Sequence, residues 1–185
     1  YIVLDKKKNL SLVIGNSGQI ISYEHLEDGI KRKEINYLKS EYLINFDEKI
    51  KKIKNFAYLP KNLDFEKDHY VLKYPLIVGT NWSVNDMTRI KMQLGYDRVF
   101  ETWIPFRLKY KISDVGKNIR VKNKIFKNCI KVVGEGDTSY NVGPPLGNIY
   151  IKIDTIDWYA PGVGLIKTTR IEKSDSETMG EIKTT

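Results

Sequence analysis

WYAPGVGLIK, Trp158 to Lys167, sets a proline and two glycines between an alternating apolar run and a β-branched one. The stretch can be read as a phosphate-cradling loop or as a corner between two strands. A phosphate loop needs glycine directly before a Lys-Ser/Thr pair, so that successive backbone amides curl around the anion at the start of a helix. Here Leu165 and Ile166 separate Gly164 from Lys167-Thr168, and LIKTTRIE reads as a strand. The dinucleotide-binding pattern lacks its third glycine and its helix. The corner reading accounts for every residue. Pro161 presets the φ of a type II turn's second position, Gly162 supplies the positive φ of the third, and Gly164 relieves crowding where the chain re-enters a sheet.

Working outward, the pattern stays β. Ile149, Ile151 and Ile153 share one parity while Ile156 and Trp158 take the other, which predicts a bulge near Asp154 and Thr155 or burial on both faces. Strands are predicted at 10–14, 20–23, 30–37, 42–46, 70–75, 98–104, 107–112, 125–133, 149–159 and 165–171, with turn signals at 5–9, 15–18 and 27–29 and a turn at Gly79-Thr80-Asn81 leading into Trp82. Pro105 separates the strands on either side of it, since it cannot donate to a central ladder. Residues 85–96 read as irregular, and the glycine-rich stretch 134–148 as a long loop. One short helix is predicted within DEKIKKIKNFAYLP, where Ile50, Ile53 and Phe56 recur at helical spacing behind acidic Asp47 and Glu48 and ahead of Pro60. The fold expected is mainly β: a curved antiparallel sheet or open half-barrel with at most one or two short helices. It forms a single domain over 1–173, followed by a polar tail at 174–185.

Size and composition bound the function. A chain of 185 residues can bury one sizeable core, and no run reaches the roughly 18 apolar residues of a membrane-spanning helix. The net charge of +8 invites a polyanion partner, but in the linear sequence the lysines are scattered among turns and strand edges and no RNA-binding aromatic signature accompanies them, so nucleic acid is disfavoured. A chain beginning at Tyr1 leaves a signal peptide or lipid anchor before it open.

Catalytic constellations are hard to assemble. Cys129 stands alone among alternating strand residues and reads as a buried, inert thiol, so no intrachain disulfide can form. His25 and His69 lie far apart and at no metal-ligand spacing. Two carboxylate pairs, Glu101 with Asp97 and Glu135 with Asp137, are what a hydrolase would have to use, and solvated surface charge is the simpler reading. No catalytic residue, metal ligand or cofactor-binding residue is assigned. The aromatic side chains Trp82, Trp103, Trp158 and Tyr159 are the candidate ligand or partner contacts, with core filling as the alternative.

Three segments, PLIVGTNW (75–82), IFKNCIKV (125–132) and WYAPGVGLIK (158–167), together resemble a group of bacterial cell-envelope proteins, many of them lipoprotein-like, over roughly 72–170. Their order matches that group's Pro-Leu-x-Val-Gly-x-x-Trp entry, Phe-x-Asn-Cys strand and closing Tyr-Ala-Pro-Gly-Val-Gly-Leu corner. The Gly-Thr that commonly precedes the Phe is here Lys124-Ile125. The resemblance implies a curved antiparallel sheet and a periplasmic or outer-envelope location, and supplies no catalytic residues. The function expected is a noncatalytic interaction or assembly module, with a carrier of lipid or another apolar ligand as one alternative and an unrecognised hydrolase as the other. Its partner would be an envelope protein or an apolar ligand.

Overall fold

Alternating side chains and tight turns govern both parts of the chain. The structure is a computed structural model that describes residues 2–5, 10–14, 20–35, 69–93, 99–144, 147–176 and 179–185. It divides into two compact units, 1–72 and 73–185. The strand predicted at 42–46 and the helix predicted within 47–60 lie outside the described residues, as do the turn residues 6–9 and 15–18.

The first sheet is an antiparallel meander of β1 (Ile2–Asp5), β2 (Leu10–Ile14), β3 (Ile20–Leu26), β4 (Gly29–Ile35) and β5 (His69–Lys73), in that order. Glu27 and Asp28 form the turn that sets Leu26 opposite Gly29. The Tyr70 hydroxyl donates to both oxygens of the Asp28 carboxylate at 2.9 Å, and the Lys31 ammonium lies 5.1 Å from the Tyr70 ring.

The second sheet comprises β6 (Asn81–Gln93), β7 (Val99–Val121), β8 (Lys124–Gly143), β9 (Gly147–Ala160), β10 (Gly164–Ser174) and β11 (Glu181–Thr184), ordered β11-β10-β9-β8-β7-β6. All its ladders are antiparallel. Its inner face carries the core: Ile90, Leu108, Ile112, Val132, Ile149, Ile151 and Ile153 are all 2% exposed or less. Burying each such side chain contributes about 1.5–3 kcal/mol. The fold is therefore mainly β and antiparallel, and the sheet is curled without closing into a barrel. β11 lies inside the segment read as a polar tail, where residues 181–184 pair with 170–173.

Four local readings are corrected. Residues 81–93 form one regular strand. Asp86 and Thr88 share the parity of Trp82, Val84 and Ile90, and these two polar residues break up the apolar alternation by which the strand would have been seen. Pro105 does not divide β7. The β7–β8 ladder runs only from Lys109 toward the hairpin, so Pro105 lies beyond it and owes it no N–H. Instead the Thr138 hydroxyl donates to the Pro105 carbonyl at 3.2 Å.

Residues 134–143 belong to β8. Gly134 sits directly opposite Tyr110, whose ring carbon lies 2.6 Å from where a Cβ would stand, and a Cβ at Gly136 would meet the Phe106 ring and the Arg107 carbonyl at 2.9 Å. These glycines are seats for aromatic rings from the neighbouring strand, and they let the sheet bend tightly. Finally, β9 keeps its register through Asp154 and Thr155, and the bulge falls at Ile166 in β10, just past the corner. Ile156 and Trp158 are half-buried on the outer face.

Gly134→Ala is expected to lower stability by about 1–3 kcal/mol, the usual cost of overpacking a filled core. Urea unfolding against the parent chain would measure it.

Candidate functional site

β6 and β10 lie at different places in the sheet order, with three strands between them, yet their side chains meet. Arg170 on β10 donates from Nη1 to Asp86 Oδ2 and from Nε to Glu172 Oε1, both at 2.6 Å. Its Nη2 reaches the Met87 carbonyl at 3.5 Å, and its guanidinium lies 5.4 Å from the Phe106 ring centroid. The buried Thr88 hydroxyl donates to Glu172 Oε2 at 2.5 Å. Burial alone would lower the Arg170 pKa. The hydrogen bonds and charges of Asp86 and Glu172 more than offset this and leave it raised. The cluster is a clasp whose charges are satisfied within the chain.

Around this clasp runs a groove of about 450 Å³, lined by Met87, Arg89, Trp103, Arg170, Met179 and Ile182 among others. It lies between β6 and β10–β11, where a seventh strand or a direct ladder would be needed to close a barrel. Trp103 is 52% exposed and Ile182 49%. Across the β6–β7 ladder, Arg89 stands opposite Trp103 and binds Glu101 at 2.7 Å. The hydrogen bond from Arg89 holds the Glu101 carboxyl below its ordinary range.

The other aromatic candidates part company. Trp82 is buried and stacks on Tyr110 at 5.5 Å, with 27° between ring planes. Tyr159 is buried at 7% exposure. Trp158 is half-buried on the outer face under the Lys131 ammonium, 5.7 Å from its centroid. Only Trp103 lines the groove. Sequence reasoning missed Arg170, Glu172, Asp86 and Thr88, because nothing in the linear order links residues 84 positions apart.

Pro161 and Gly162 take the second and third positions of a turn closed by the Val163 N–H donating to the Ala160 carbonyl at 3.1 Å. Gly162 has φ 69° and Gly164 φ 92°, both in the left-handed region that glycine enters freely. Cys129 is fully buried, its thiol 3.4 Å from the Phe126 carbonyl.

Glu135 and Asp137 project from the exposed face of β8, where Lys109 stands opposite Glu135 and Lys152 opposite Asp137. Asp97 lies outside the described residues. His25 is on β3 and His69 on β5, each with partners of its own. Among the described residues no group of three or more His, Cys, Asp or Glu is placed to hold a metal ion. No helix among them is long and apolar enough to cross a membrane. Compared with family models, curated proteins and solved structures, the chain matches none.

Arg170→Met is expected to cost about 1–3 kcal/mol, less than a fully buried pair because Asp86 is partly exposed. Arg89→Met, which breaks the solvent-facing pair, should leave the unfolding midpoint unchanged. Thermal unfolding of the two variants would separate them.

Burial, then the charges of Asp157 and Asp86, raise the Tyr110 pKa far above its ordinary value of about 10. The protonated phenol is thus favoured in the folded state. Its contribution to stability is fully present below pH ~10 and is lost above it, as the unfolded chain ionises first. Tyr110→Phe should therefore flatten the alkaline fall in stability. Spectrophotometric titration of the folded protein should find the tyrosinate amplitude near pH 10 the same in both forms.

Proposed function

We propose that this chain is a noncatalytic binding module of the cell envelope, and that the groove beside the Arg170 clasp receives a protein partner. The observation that carries this is the open seam of the sheet. Among its described residues β6 and β11 are edge strands, and exposed Trp103, on β7 beside β6, and exposed Ile182, on β11, both line the groove. An edge strand offers backbone hydrogen bonds to an added strand, and an adjacent tryptophan supplies the rigid apolar contact typical of interface anchors.

The clasp supports a structural role for the charged residues here. Arg170, Asp86 and Glu172 satisfy one another, so none is left poised as an acid, base or nucleophile. The inner face of the sheet is occupied by isoleucine, leucine and valine side chains, which favours a surface-binding mode over sheltering a ligand inside. The envelope placement is supported by the resemblance of the three motifs at 75–82, 125–132 and 158–167.

The test is a photoreactive residue in place of Trp103, compared with one in place of Lys152 on the exposed face of β9, in the native cell. The expected result is a discrete envelope-protein adduct at position 103 that is absent at 152. No adduct at 103, or the same adducts at both positions, would overturn the reading.

A further inference from the structure

Among the described residues, most of the large hydrophobic side chains left exposed gather at one end of the second unit. Leu76, Ile77 and Val78 are 37%, 57% and 56% exposed in the loop entering β6. That loop is held to the base of the β7–β8 hairpin by the Gly79 N–H donating to the Ile112 carbonyl and the Ile112 N–H to the Thr80 carbonyl, both at 2.9 Å. Val115 and Ile125, on the hairpin itself, are 39% and 53% exposed, and Val163, at the Pro161–Gly164 corner, is 44% exposed. Three separate connections thus present aliphatic side chains at the same end of one sheet.

The hairpin projects there. β6 meets β7 only as far as Lys111, and β9 meets β8 only from Ile130, so residues 113–128 run past both neighbours as a two-stranded ribbon. Residues 113–128 carry five cations, Lys117, Arg120, Lys122, Lys124 and Lys127, against the single acid Asp114. That is a net of +4 out of +8 for the whole chain. Arg120 and Lys122 share a second groove with Leu165, Ile166 and Lys167 beside the corner, which adds another cation to this end. Lysines scattered in the linear sequence are therefore concentrated by the fold.

We infer that this end docks on the surface of a bilayer containing anionic phospholipid. The cations meet the lipid phosphates, and Ile77, Val78 and Ile125 enter the headgroup region. Juxtaposed cations and exposed aliphatics suit an interface that is negative at its surface and apolar just beneath it. A nucleic-acid backbone would use the cations and leave the aliphatics in water, which is why lipid is favoured. The inference does not depend on the groove at Trp103, which uses different residues.

The full chain would be sedimented with vesicles of phosphatidylcholine alone, and of phosphatidylcholine with phosphatidylglycerol, at low and high salt. Binding is expected only to the anionic vesicles and should weaken with salt. At roughly fivefold per lysine near such a surface, Lys122→Gln/Lys124→Gln/Lys127→Gln should weaken it on the order of a hundredfold. Ile77→Ser/Val78→Ser should weaken it at high salt too, where the apolar contribution remains. Lys91→Gln/Lys109→Gln/Lys152→Gln removes the same charge elsewhere on the unit and should bind like the parent, with unchanged unfolding confirming that each variant folds.

Equal binding to neutral vesicles, equal loss in the control variant, or no effect of the Ile77/Val78 changes would overturn the inference. So would an absence of vesicle binding, including the case in which the ribbon lysines instead retain duplex DNA.

Discussion

The second unit depends on one constraint: a curled sheet must hold its two ends near each other without a backbone ladder between them. The Arg170 guanidinium does this from β10, reaching Asp86 on β6 while Glu172 beside it receives the buried Thr88 hydroxyl. Side-chain hydrogen bonds act here where strand pairing would close a barrel. Because the clasp is local, it leaves the rest of the seam open, and the groove with Trp103 is the space it does not fill.

Curvature has its own cause in the middle of the sheet. Tyr110 and Phe106 on β7 lie over Gly134 and Gly136 on β8, so two rings occupy space that side chains on β8 would otherwise take. The glycines let the strands bend tightly toward the core, and the rings restore the packing the glycines lack. Bend and clasp act together: the first brings β6 toward β10, and the second holds it there. The same curl gathers the entry loop, the projecting ribbon and the corner at one end, while Trp103 and the groove lie toward the other.

The two ends differ in chemistry. At the groove, charges are paired within the chain and an aromatic side chain is exposed. At the ribbon end, cations outnumber acids and aliphatics are bare. Cys129 is fully buried.

Local chemistry was legible in the sequence. Pro161 and Gly162 announce their turn because their own φ preferences match its second and third positions, and the isoleucines of β9 announce a strand because their alternation has period two. The antiparallel β class follows from such signals. What failed did so where a neighbour distant in sequence overrides the local signal. Asp86 and Thr88 read as a break in β6 until Arg170 and Glu172 are seen to receive them, and Gly134 and Gly136 read as loop until Tyr110 and Phe106 cover them. Lysines between 117 and 127 look dispersed as letters and become a cationic ribbon only when a hairpin folds them together. Turn type and side-chain parity are set within a few residues, so the sequence by itself determined them; curvature, clasp and charge clustering arise between strands far apart in the chain, and only the tertiary structure decided those.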